Sequence, residues 1–232
     1  VDGRPLGIFM KAQADFSIPS SWMSNKLKVG TDWQLDKNLG KGQLFDPMFP
    51  LYTGISTRQR KYSDVPAEVQ QSNFAEADIT LPFGNQQLQL VAGLRSSMMM
   101  NLSSRYDLHG KVYLDPRVNV GWNLPPIGAG YSALNLQLRG GWGKHTKMPT
   151  IDQLFPELLY IDMVEMNYWH AKRELRSVWL QTYIKDPTNW HLRAARNEKW
   201  ELSVDASWRG HRFTLTYFEE DMKSGFRHMS DY

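Results

Sequence analysis

The chain has 232 residues, with 27 lysines and arginines against 24 acidic residues, and no cysteine. A formal charge of +3 spread thinly along the sequence offers no basic face for nucleic acid. Zero cysteines exclude disulfides and thiolate metal sites, and no run approaches the roughly eighteen apolar residues of a membrane-crossing helix.

The chain opens Val1-Asp2-Gly3-Arg4-Pro5, with no charged-then-apolar export segment, and reads as a mature or internal piece. Ile8, Met10, Ala12, Ala14, Phe16 and Ile18 then alternate with Lys11, Gln13, Asp15 and Ser17. After Pro19-Ser20-Ser21, Leu27, Val29, Thr31, Trp33 and Leu35 alternate with Lys26, Lys28, Asp32 and Gln34. A polar stretch from about residue 37 to 72 reads as a long connection. Ala77, Ile79, Leu81 and Phe83 alternate with Glu76, Asp78 and Thr80, and Gly84-Asn85 turns the chain into Leu88, Leu90, Ala92 and Leu94. A connection near 99–110 leads to Val112, Leu114, Val118, Val120 and Trp122, and Leu124-Pro125-Pro126 through Gly130 turns again. Leu134, Leu136, Leu138 and Trp142 follow, then a long connection over 145–196. The chain ends in the clearest hairpin: Trp200, Leu202, Val204, Ala206 and Trp208, a turn at 209–212, then Phe213, Leu215 and Tyr217.

Period-two alternation on this scale predicts an all-β protein with about eight long antiparallel strands. Short turns alternate with long connections, aromatics gather near strand ends, and the alternating runs exceed the usual five or six residues of a strand. That is the layout of a transmembrane β-barrel, with long loops outside and short turns periplasmic. A run from Val178 to Ile184 also alternates and reads as β structure within the last long connection. The competing reading is a soluble β-sandwich or meander, which shows the same alternation.

Three segments carry a family resemblance. Tyr113-Leu114-Asp115-Pro116-Arg117-Val118 is similar to a Ser-Pro-Lys/Arg-Val strand. Gly141-Trp142-Gly143-Lys144, Met148-Pro149-Thr150 and Leu154-Phe155-Pro156 are similar to an aromatic-glycine strand end followed by Phe-Arg-Ala-Pro-Thr and Leu-Tyr/Phe-Pro. Asn189 and Leu192 through Leu202 are similar to Asn-x-Leu-Lys-Pro-Glu-x-Ser-x-x-Tyr-Glu-Leu-Gly, with Glu201-Leu202 the best-matching core. The departures are Lys147-Met148 for Arg-Ala, Ala194 for the proline and Ser203 for the glycine. In this order, over about half the chain, the three resemble TonB-dependent outer-membrane receptors.

The resemblance implies a wall segment of a barrel of about twenty-two strands, plugged by a domain not seen in this sequence. It implies an outer-membrane location, with the remaining barrel strands, the plug, TonB and membrane lipid as partners, and no cofactor and no covalent chemistry. The ligand is expected to be a glycan, a peptide or a metal chelate. The aromatic-rich last connection leans toward the SusC/RagA-like branch, which works with a SusD-like surface lipoprotein. The alternative is a small closed outer-membrane barrel, or a soluble β-sandwich with a structural or carbohydrate-binding role. The end Ser230-Asp231-Tyr232 matches a last membrane strand poorly.

Other motifs point to no chemistry. Gly141-Trp142-Gly143-Lys144-His145-Thr146 fails as a phosphate loop, because Leu138 stands where the first glycine belongs and His145 follows the lysine. The six histidines form no His-x-x-x-His pair, and neither they nor Glu219-Glu220-Asp221 nor Met98-Met99-Met100 makes a supported metal site. No nucleophile elbow appears.

The candidate ligand residues are Tyr160, Tyr168, Trp169, Arg173 and Trp190, because exposed aromatics among polar groups suit sugars and peptides. The competing reading is that they pack the long loop against itself. Ile79, Leu81, Leu88, Leu90, Leu134, Leu136, Val204 and Phe213 are expected to face lipid, with Leu136 at mid-strand. Glu76, Asp78, Gln89, Gln137, Arg139, Asp205 and Thr214 are expected to face the lumen or plug.

Overall fold

The structure, a computed structural model, describes residues 2–42, 58 and 60–227. The expected connection interior at 43–57, His228 and the terminal Ser230-Asp231-Tyr232 lie outside the described residues. Ten strands are present among them: β1 (Pro5–Ile18), β2 (Ser24–Asn38), β3 (Glu68–Phe83), β4 (Gln86–Met99), β5 (Tyr113–Asn123), β6 (Asn135–Lys147), β7 (Leu159–Tyr168), β8 (Ser177–Lys185), β9 (Ala195–Trp208) and β10 (His211–Met222). A single helical turn, α1 (Ile151–Leu154), follows β6.

Eight strands form one antiparallel sheet in the order β1-β2-β3-β4-β5-β6-β9-β10, while β7 and β8 pair only with each other. The sheet does not close, and β1 and β10 are its two edges. The strands outrun their alternating cores. β3 begins at Glu68, so the connection expected over 37–72 is shorter than its polar composition indicated. Gln70, Gln71, Ser72 and Asn73 give no apolar alternation, yet they pair with Met99, Met98, Ser97 and Ser96. A backbone ladder needs no apolar side chain once its neighbour is in register. The run at 178–184 is a strand of the last connection, and its partner Leu159–Tyr168 carried a phase break that hid it.

The hairpin joining β9 to β10 shows how a tight turn is built. Arg209 and Gly210 both take positive φ, 47° and 81°, which is the type I′ geometry that matches strand twist. Glycine adopts this conformation freely, whereas arginine does so at a cost. Local contacts hold Arg209 there: its guanidinium lies 4.7 Å over the Trp208 ring, and its carbonyl accepts a 3.1 Å bond from the Tyr131 hydroxyl.

Among the described residues, the apolar face of the sheet is not packed on a second layer. In the row Trp122, Leu138, Val204, Leu215, the side chains are 38, 37, 40 and 62% exposed. Two packed sheets would bury one face, so the sandwich alternative does not describe this fold. The chain divides into two compact units. The larger (Phe9–Gln34, Val69–Pro149, Leu192–Tyr232) buries Met99, Leu102, Tyr106, Leu108, Met148 and Ala194. These come from strand ends and the 100–112 connection rather than from mid-strand positions. The smaller (Val1–Ile8, Leu35–Glu68, Thr150–His191) buries Leu154 of α1. There the Thr150 and Gln153 side chains form a reciprocal capping box.

Candidate functional site

Antiparallel partners point to the same face of a sheet, so the register sorts every side chain. Ile79 pairs with Leu90, and Leu81 with Leu88. Leu88 pairs with Trp122, Trp122 with Leu138, Leu138 with Val204, and Val204 with Leu215. Leu136, Ala206 and Phe213 make a parallel row on the same face. Trp142 pairs with Trp200, and no Asp, Glu, Lys or Arg occurs on this face of β9 from Trp200 to Trp208. Those two tryptophans are eight residues apart, about 27 Å along the strand, which suits the ~25 Å apolar band of a barrel bounded by aromatic girdles. Midway between them lies Val204, opposite Leu138. Leu136, expected at mid-strand, is instead the second residue of β6 and sits one row from Trp208.

The opposite face is ionic. Glu76 accepts from Lys28 at 3.4 Å and from Arg117, which crosses Gly93 to reach it. Arg95 donates to Asp32 at 2.8 Å, and Gln89 to Asp78 at 3.1 Å. Arg139 makes two bonds to Asp205, at 2.6 and 3.2 Å, and Thr214 donates to the same carboxylate at 2.6 Å. Gln137 is the register partner of Asp205. The six residues Glu76, Asp78, Gln89, Gln137, Arg139 and Asp205 therefore lie on one face, in a ladder of charges that neighbours each other across strands. At the strand ends next to the long connections, the buried Asp115 carboxylate accepts from the Thr146 backbone N–H at 3.1 Å and hydroxyl at 2.6 Å. Among the described residues, no three His, Asp or Glu side chains come together as a metal site would require.

The smaller unit holds the aromatic candidates. Tyr168 ends β7 and stacks on His170, with ring centroids 6.3 Å apart. Trp169 is 70% exposed, with the Arg176 guanidinium 4.9 Å over its ring. Arg173 opens an exposed turn of 3₁₀ helix over Arg173–Leu175. These three cluster at the tip of the β7–β8 hairpin. Tyr160 is further down the hairpin, under the Arg58 guanidinium at 5.1 Å. Trp190 is half-buried in the segment after β8. Arg58 was not among the expected site residues, because a basic residue beside Arg60 and Lys61 in a polar stretch carries no periodic signal.

The smaller unit also has a half-open cavity of about 760 Å³, lined by residues that include Asp36, Lys37, Arg60, Glu68, Asp152 and Glu157. Glu68 lies outside the apolar-facing stretch of β3, which begins at Ala75. Burial, and then the neighbouring Asp36 carboxylate, push its carboxyl up to about 7, against a bond from the Ile151 backbone N–H that pulls it down. The nearby cations are engaged elsewhere: Lys37 donates to the carbonyls of Ser63 (2.8 Å) and Val65, and Arg60 to that of Phe155 (2.7 Å). Between the ordinary value of 4.5 and about 7, the folded state keeps a proton that the unfolded chain has lost. Stability from this group is therefore lost as pH rises through that window. Thermal unfolding should fall in midpoint from about pH 5 to pH 8, and Glu68→Gln should flatten that dependence.

The family model for the TonB dependent receptor-like β-barrel matches residues 6–225. Proteins of that family are outer-membrane transporters rather than enzymes, and they work with TonB and a plug domain. No curated protein matches the chain closely enough for comparison. The match spans all eight strands of the large sheet, and with its one apolar and one ionic face it establishes that this chain belongs to the TonB-dependent receptor-like β-barrel family.

Proposed function

We propose that this chain is a wall segment of a TonB-dependent active importer of a glycan, a peptide or a metal chelate. The observation that carries this reading is a sheet of long strands with one face apolar across its middle and exposed, and the other ionic. In this reading the apolar face meets lipid, and Glu76, Asp78, Gln89, Gln137, Arg139 and Asp205 line the lumen against the plug. The connections at about 37–72, 99–110 and 145–196 are extracellular. The edges β1 and β10 pair with the remaining barrel strands, since an open edge in lipid would leave backbone N–H and C=O groups without partners. The aromatic hairpin tip favours the SusC/RagA-like branch with a SusD-like surface lipoprotein.

The ligand surface is the hairpin tip: Tyr168, Trp169 and Arg173, with Tyr160 and Trp190 behind. Replacing Trp169 by alanine should weaken uptake while leaving the amount of receptor in the outer membrane unchanged. An aromatic contact is worth on the order of 1 kcal/mol, hence about fivefold in affinity. Trp190→Ala, at a half-buried position, should change uptake less. The measurement is concentration-dependent accumulation of oligosaccharide, peptide and ferric-chelate probes in cells with and without TonB. TonB-independent accumulation of every probe would overturn the importer reading. TonB-dependent accumulation that Trp169→Ala leaves unchanged would overturn only the tip assignment.

A further inference from the structure

One arginine ties the two long connections of the smaller unit together. Arg58 donates to both carboxylate oxygens of Asp162 on β7, at 2.9 and 3.1 Å, and its guanidinium covers Tyr160. Thr182, the register partner of Asp162 on β8, donates to the same carboxylate at 2.5 Å. Asp162 is thus the shared acceptor of an arginine from one connection and a threonine from the other. Its side chain is only 19% exposed. Both bonds leave one guanidinium nitrogen, and a charge-assisted contact of this kind is stronger than a neutral hydrogen bond. Two residues on, Arg60 bonds the Phe155 carbonyl at the end of α1. Arg58 and Arg60 therefore each bond the last connection.

The hairpin has a distinct second face. Leu159, Ile161 and Met163 share it with Tyr183, and a register shift between Val164 and Met166 leaves Glu165 as the extra residue. That bulge restores the phase, so Met166, Tyr168 and Trp179 continue the same apolar row. These side chains are 42–64% exposed. Tyr160, Asp162 and Thr182 lie on the other face, the one Arg58 engages, together with the exposed Val164, Val178, Leu180 and Ile184.

We propose that Arg58 is a positioning residue: by clasping the Tyr160–Asp162–Thr182 face it fixes the hairpin, and leaves the face of Met166, Tyr168 and Trp179 as the one offered to ligand. The clasp stands on its own geometry, and only the offering to ligand rests on the importer reading.

The test is hydrogen exchange by mass spectrometry on the whole receptor in detergent. Arg58→Ala and Asp162→Ala should each speed exchange across 159–168 and 177–185 by about tenfold, as expected when one strong anchor of a locally opening segment is lost. Peptides from β9 and β10 should be unchanged, which certifies that the barrel is folded. The swapped pair Arg58→Asp with Asp162→Arg should restore protection, because it reverses the ion pair without removing it. Unchanged hairpin exchange in Arg58→Ala would overturn the clasp. So would a swapped pair no better protected than the single variants. Because exchange is read without any ligand, failure of the importer reading would leave this result standing.

Discussion

Lysine in place of Leu138 should destabilise the receptor by about 2–4 kcal/mol, the cost of a cation at the midplane of a lipid-facing barrel surface. Leu138 is the register partner of both Trp122 and Val204, in the row midway between the Trp200 and Trp208 levels. A lysine there has the longest path to either interface. Leu136→Lys, one row from Trp208, should cost less because the ammonium can snorkel toward the girdle. Gln137→Lys, between them in sequence but on the ionic face beside Asp205, should cost least. Urea unfolding of the receptor in lipid vesicles gives the comparison. Equal losses at positions 137 and 138 would overturn the assignment of faces, since only opposite environments separate neighbouring residues so strongly.

Valine in place of Gly30 should be the other severe change, at about 1–3 kcal/mol, the range for overpacking a filled site. A Cβ at Gly30 would meet the Phe74 ring at 2.5 Å and the Ala12 carbonyl oxygen at 2.6 Å. Phe74 lies across the glycine from β3, with the Lys11 ammonium 5.1 Å over its ring. The aromatic fills the space that a side chain on β2 would occupy. The ring can rotate away, but the Ala12 carbonyl belongs to the β1 backbone, so relief requires β1 and β2 to part. Phe74→Ala in the same background should recover part of the loss, because it removes the closer of the two obstacles. No recovery in the double variant would show that the β1 backbone alone sets the cost.

The alternation of single residues was sufficient to read β1, β2, β4, β5, β6, β9 and β10 and to assign their faces, because a strand exposed on two chemically different sides must encode that difference at every second position. It was insufficient for the start of β3, where Gln70 through Asn73 pair by backbone alone. It was insufficient too for β7, where the bulge at Glu165 breaks the phase in sequence to preserve it in space. The charged ladder was legible only as composition. That Glu76 is shared by Lys28 and Arg117, 48 residues before it and 41 after, depends on strand order.

The sequence by itself determined the all-β class, the polarity of the two faces and, through three ordered motifs, the family. Each is a local property, carried by neighbours in the chain. Tertiary structure alone decided that the sheet stays open, that Leu138 and Val204 rather than Leu136 mark its middle, and that Arg58 holds the last hairpin through Asp162. Each of those depends on which distant segments lie side by side, and register and ion pairing across 63 or 104 residues leave no periodic trace in the chain.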